Sequence, residues 1–154
     1  MQNITHRRAQ EKDSEAITNI LRETFEEYEI NLPAGYSFSD IEELEEEYLN
    51  ASGEFIVLTR ARLIIGFFAL LPSNNNQVEL KRLYVRADER GRGLGEYLLN
   101  LALKTARQAG YDRMHLETTS RFFQAVALYR KFGFKKNPGA NLSPGHDIGL
   151  IKDL

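Results

Sequence analysis

The chain contains no cysteine, which excludes disulfides, cysteine nucleophiles and thiolate metal sites and fits a reducing compartment. It also lacks any long apolar run. The longest, Leu63 to Leu71, falls well short of the roughly 20 residues that a bilayer-spanning helix requires. The start, Met-Gln-Asn-Ile-Thr-His-Arg-Arg, has no apolar core of signal-peptide length, so a cytoplasmic protein is expected, with neither membrane nor nucleic acid as partner. Histidine is scarce, and His6, His115 and His146 show no ligand spacing, so no metal is expected. No linker, repeat or low-complexity tract divides the sequence. Residues 1–154 are expected to form a single domain, long enough to bury an ordinary core.

Positive charge is nearly missing from one part of the chain. Glu11 to Glu54 holds 14 acidic and 2 basic residues, whereas the remainder holds 8 acidic and 18 basic, so a net charge of -2 conceals an acidic segment and a basic one. A multiply anionic ligand suits the basic part.

Within that part, Glu79 to Val85 alternates in hydropathy and then breaks into Arg86-Ala-Asp-Glu-Arg-Gly-Arg-Gly-Leu-Gly. Beyond it, Leu94, Leu98, Leu101, Ala102 and Thr105 fall on one face of a helix. Gly91, Gly93 and Gly95 therefore sit at a helix N-terminus, where unpaired N–H groups and the helix dipole favour an anion and no Cβ keeps a phosphate off the backbone. Arg90 and Arg92 add formal positive charge, so a diphosphate is the better guess over a carboxylate. The phosphate-loop pattern of nucleotide hydrolases fails, because no Lys-Ser/Thr pair follows the glycines. The dinucleotide fingerprint fails as well, because Glu96 stands where its third glycine belongs.

The pattern that does fit is R-x-x-G-x-G, formed by Arg90, Gly93 and Gly95 directly after Leu83-Tyr84-Val85. It resembles the coenzyme A site of the GNAT superfamily of N-acetyltransferases. A second stretch, Ala125-Val-Ala-Leu-Tyr-Arg-Lys-Phe-Gly-Phe134, is similar to that superfamily's A-x-x-L-Y-x-x-x-G-F signature. The matching segments span about Gly66 to Phe134.

Local signals give the architecture. Ile4 to Arg8 reads as an edge strand, and Asp13 as the N-cap of a helix whose buried face carries Ile17, Ile20, Leu21, Phe25 and Tyr28. A capping box, Ser39-Asp-Ile-Glu42, opens a second helix reaching about Leu49. Three β-rich runs, Phe55–Arg60, Leu63–Leu71 and Gln77–Val85, have short connections and predict an antiparallel meander. The helix from Leu94 to Ala109 precedes a strand from Arg113 to Thr118, which must run parallel to the third run. A helix from about Phe122 to Phe132 and strands at Phe134–Lys136 and Asp147–Lys152 complete the chain. The fold class is α+β, a GNAT-like acyl-coenzyme A N-acyltransferase fold with a mixed, mostly antiparallel sheet and helices on both faces.

The resemblance implies acetyl-coenzyme A as cosubstrate, its pantetheine arm lying where the strands on either side of the glycine turn splay apart. Main-chain groups of Leu83 and Val85 would pair with its amides, the N–H of Val85 facing the thioester carbonyl, with Tyr84, Arg90, Gly91, Arg92, Gly93, Leu94 and Gly95 completing the cofactor site. Many members carry Asn three residues before the alanine of the second signature; here Phe122 stands there, and Gln124 or Ser120 is the substitute. Tyr129 is the expected general acid, since a phenol of pKa about 10 can protonate a leaving thiolate of pKa about 8.5 at modest cost. Tyr129 also suits a core aromatic. Glu79 has two readings: a base acting through water on an amine of pKa about 10.4, or a strand-end carboxylate paired with Lys81. His146-Asp147 is a weaker candidate pair. The acceptor is expected to be a small primary amine, a cationic one if Glu26, Glu27, Glu29, Asp40 and Glu43 border the acceptor side. Family members often form homodimers. The alternative is a GNAT-like module that holds acyl-coenzyme A without turnover.

Overall fold

The computed structural model describes residues 3–154. One seven-stranded sheet, in the order β1-β2-β3-β4-β5-β7-β6, forms the centre. β1 (Ile4–Arg8), β2 (Glu54–Arg60), β3 (Leu63–Pro72) and β4 (Gln77–Val85) make the antiparallel meander that the short connections predict. β5 (Arg113–Thr118) runs parallel to β4, and β7 (Ile148–Asp153) is antiparallel to β5 and carries the two-residue β6 (Lys135–Lys136) at the edge.

Helices cover both faces because the strand interiors are apolar on both sides. α1 (Ser14–Glu27) and the single turn α2 (Ser39–Glu42) bury Ile17, Ile20, Leu21 and Ile41 against Phe55, Val57, Phe67 and Ala69. α3 (Leu94–Gln108) and α4 (Phe123–Lys131) cover the other face, over Ile65, Phe68, Leu70 and Met114. The buried stripe of α3 is Leu94, Leu98, Leu99, Ala102, Leu103 and Ala106, rotated slightly from the expected one, so that Leu101 and Thr105 lie at its margin.

At two helix starts the expected side-chain caps do not form, although Asp13 stands at the N-cap position of α1 as expected. Asp13 does not cap α1 with its side chain. It accepts two hydrogen bonds from the Arg7 guanidinium at 2.8 and 2.9 Å and one from the Gln10 N–H at 2.7 Å, closing a 3₁₀ turn ahead of the helix. The expected capping box of Ser39 and Glu42 is likewise absent: Phe38 is the N-cap of α2, Asp40 in its first turn pairs with Arg82, and the helix breaks at Glu43 and resumes as a π-helical turn over Glu45–Leu49. That irregular turn seats Tyr48, 1% exposed, against Phe55 and lets its hydroxyl donate to Asp40 at 2.6 Å.

Two register shifts set the geometry of the site. Along β4, Ala69 faces Arg82 while Leu70 faces Leu80, so Lys81 is an extra residue. The inserted residue inverts the alternation. Val78 and Leu80 point toward α3, as do Leu83 and Val85 beyond the bulge, while Arg82 and Tyr84 turn to the α1 side. A matching shift in β3 leaves Ile65 unopposed.

Candidate functional site

β4 and β5 pair only from Gln77 to Glu79 with Arg113 to His115; beyond that they part. The Arg86 N–H donates to Ile65 O at 2.8 Å on the β3 side. Alternation along a strand therefore turns the main-chain groups of Val85 and Leu83 to the opposite side, into the gap that β5 has left. Neither has a ladder partner there. The gap opens into a cleft of about 220 Å³, walled by β4, β5, the glycine turn, α1 and α4.

The turn itself is pinned from below. Glu89 is buried, and its carboxylate accepts from Arg60 at 3.2 Å and Arg92 at 3.2 Å, with Arg86 at 3.8 Å. Gly91 and Gly93 adopt φ of +76° and +79°, a left-handed conformation that a side chain disfavours. Among the described residues, the N–H groups of Gly91 through Glu96 meet no backbone carbonyl. They form a row of free donors at the positive end of a 15-residue helix.

Of the residues expected to hold the cofactor, Leu83, Tyr84, Val85, Arg90, Gly91, Gly93, Leu94, Gly95 and Gln124 line this cleft together with Tyr129; Arg92 does not. Both arginines already have carboxylate partners. The Arg90 guanidinium donates to Val85 O at 3.0 Å, to Thr24 Oγ1 at 3.2 Å and to Glu27 at 2.6 Å, and lies 5.8 Å from the centre of the Tyr28 ring. It straps the turn to α1. The row of main-chain N–H groups is thus the part of the turn left free for a diphosphate, and the gap beyond it suits an extended amide-bearing arm.

Tyr129 sits on α4, 6% exposed, with its ring 5.7 Å from that of Phe134. Burial, reinforced by the nearby Tyr84, pushes its phenol above the ordinary tyrosine range. Phe122, at the position where Gln124 or Ser120 was to substitute, packs among Phe25, Tyr28 and Tyr84 with ring centres 5.2 to 6.0 Å apart. Gln124 reaches the cleft and accepts from the Tyr28 hydroxyl at 3.3 Å. Ser120 is committed elsewhere, its N–H and hydroxyl both donating to Asp147 at 2.7 Å.

Glu79 lies outside the cleft. It lines an adjoining polar hollow that meets the cleft at Lys81, Leu116 and Glu117, and it forms no ion pair with Lys81. His146 stands 3.8 Å from Glu117, while Asp147 binds Ser120, so these two neighbours in sequence do not act as a pair. Thr24, Tyr28 and the hollow had no local sequence signal, because each depends on how α1 and the β6–β7 loop return to the sheet.

The acetyltransferase (GNAT) family model matches residues 15–134. The uncharacterized N-acetyltransferase YjgM of Escherichia coli is 29% identical over 156 aligned positions, covering 96% of this chain and 93% of its own. A GNAT-family acetyltransferase of Staphylococcus aureus Mu50 superposes with a TM-score of 0.86 at 23% identity, over 97% of this chain and 98% of that one. The yncA protein of Salmonella typhimurium, solved with acetyl-coenzyme A, superposes with a TM-score of 0.74 at 19% identity, over 99% and 94%.

Proposed function

The chain belongs to the acetyltransferase (GNAT) family, and from that premise we propose that it moves an acetyl group from acetyl-coenzyme A to a primary amine by direct attack. The observation that carries this reading is the free row of N–H groups at Gly91 through Glu96, opening onto a gap lined by Leu83, Val85 and Tyr129. When bound, acetyl-coenzyme A supplies a thioester whose carbonyl carbon accepts the amine.

The residues divide the work. The N–H row holds the diphosphate. Main-chain groups of Leu83 and Val85 add the pantetheine arm to the sheet edge and donate to the thioester oxygen as it gains charge. Val85 O already accepts from Arg90, which leaves its N–H for that purpose. Glu79 takes a proton from the acceptor ammonium through a water molecule; its carboxylate makes no hydrogen bond among the described residues. As the C–N bond forms and the C–S bond breaks, Tyr129 gives its phenolic proton to the departing sulfur and recovers one from the nitrogen through solvent. One proton is released per turnover.

The acceptor is cationic in this reading. Glu27 and Asp40 are spent on Arg90 and Arg82; Glu26, Glu29 and Glu43 line neither the cleft nor the hollow, but they have no ion pair among the described residues and add a negative field that draws a cation. A cytoplasmic setting belongs to the same proposal, supported by the cysteine-free sequence. An amine panel with acetyl-coenzyme A, followed by thiol release, tests it: amine-dependent release is expected. Coenzyme A binding without release for any amine would make the protein a binding module instead.

A further inference from the structure

The polar hollow beside the cleft has no part in holding a coenzyme whose diphosphate end lies at the α3 N-terminus. It is bounded by the β3–β4 turn, by β4 and β5, and by the loop between β6 and β7. It joins the cleft at Lys81, Leu116 and Glu117, so a molecule seated in it can reach the gap where the acyl group is expected. Resting on the acetyl-transfer reading above, we infer that this hollow is the acceptor subsite, that Glu117 anchors the acceptor's ammonium, and that the acceptor is a compact, hydroxyl-bearing amine of the amino-sugar or aminopolyol class.

Glu117 is held in place for binding. Its two carboxylate oxygens accept from the Ser143 N–H at 3.1 Å and the Ser143 hydroxyl at 3.0 Å. These hydrogen bonds fix its orientation, while a carboxylate offers about four acceptor positions, leaving room for an ammonium. Its side chain is only 18% exposed, so a charge-assisted contact there is less screened than one on the surface. Glu79, which lines the same hollow, keeps the proton-accepting role. Ser143 couples this anchor to the β6–β7 loop, so that the loop and the anchoring carboxylate hold one position.

The rest of the wall sets the class. Ser73, Asn74, Asn75, Asn137 and Asn141 line it, against few apolar residues. An arylalkyl amine entering here would strip water from these groups and return no hydrogen bonds. Hydroxyl groups replace that water one for one. Two carboxylates, Glu79 and Glu117, line the hollow against the one ammonium of Lys81, which disfavours an acceptor bearing its own carboxylate.

The test compares glucosamine with phenethylamine and with a free peptide N-terminus as acceptors, alongside calorimetric titration of glucosamine into the coenzyme A-loaded protein. Glucosamine should give the highest kcat/KM and bind measurably. E117Q should raise its KM at least tenfold, with coenzyme A affinity within twofold of the parent. Asn74→Leu, on an exposed turn where the Asn74 side chain makes no hydrogen bond among the described residues, should lower kcat/KM for glucosamine but not for phenethylamine. Preference for phenethylamine or the peptide, or an E117Q enzyme with unchanged acceptor KM, overturns the subsite while leaving acetyl transfer intact. Failure of the parent protein to bind coenzyme A defeats the acetyl-transfer reading itself.

Discussion

At the scale of single residues, the two expected guanidinium ligands and the expected acid differ in how free they are. Arg90 and Arg92 spend their charge on Glu27 and Glu89, so they shape the turn more than they present charge to a ligand. Tyr129 has no hydrogen-bond partner among the described residues and stands on the cleft wall. Tyr129→Phe keeps the ring that packs on Phe134 and removes only the proton. It should lower kcat by about 10²- to 10⁴-fold, the range for a general acid, with coenzyme A affinity unchanged by calorimetry. Normal turnover would leave Tyr129 as packing. The raised pKa gives a second readout. The active form is the neutral phenol, and burial shifts its loss to higher pH, so Tyr129 should impose no decline on kcat/KM until pH exceeds the ordinary tyrosine value of about 10. An alkaline limb that falls below that value in the parent and vanishes in Tyr129→Phe would contradict this.

At the scale of elements, the glycine turn is the piece whose conformation and chemistry depend on each other. Gly93 is the N-cap of α3 with φ of +79°. Gly93→Asp would strain that conformation and place an anion among the free N–H donors. Coenzyme A affinity should fall at least tenfold, about 1.4 kcal/mol, in a variant whose circular dichroism stays native; unchanged affinity would remove the turn from the binding site. The turn was legible because helix spacing and three glycines lie together in sequence. The bulge at Lys81 was not. Glu79 and Lys81 read as neighbours on one face of a plain strand, and only the β3 register exposes the inserted residue. For the same reason the hollow that Glu79 lines was unreadable, since its walls come from three separated segments.

At the scale of the whole molecule, the two helical layers are joined to the sheet by apolar clusters and, on the α1 side, by ion pairs, among them the half-buried pair of Arg82 and Asp40. Arg82, turned to that side by the bulge, donates to Asp40 at 2.8 and 3.2 Å, and Tyr48 donates to the same carboxylate. The capping box expected from Ser39 to Glu42 does not form, and no local pattern reveals a guanidinium reaching Asp40 from 42 residues away. The pair fixes α2 over the bulge of β4, and so connects the acidic segment to the strand that lines the cleft. Burial alone would push the Asp40 carboxyl up, but hydrogen bonds and charge from Arg82 outweigh it and hold the carboxyl below its ordinary value. A carboxyl depressed by folding contributes stability that is complete above its unfolded pKa of about 3.9 and is lost as pH falls through the lower folded value. Asp40→Asn removes that dependence and leaves Arg82 partly unpaired. With the two side chains 23% and 17% exposed, the cost at pH 7 should be about 1–3 kcal/mol, below the range for a fully buried pair. Thermal denaturation between about pH 5 and 2 should then show the parent losing its advantage as the medium becomes acidic, the two Tm curves converging. Parallel curves across that window would mean that Asp40 contributes no pH-dependent stability and that the apolar clusters alone hold α2 in place.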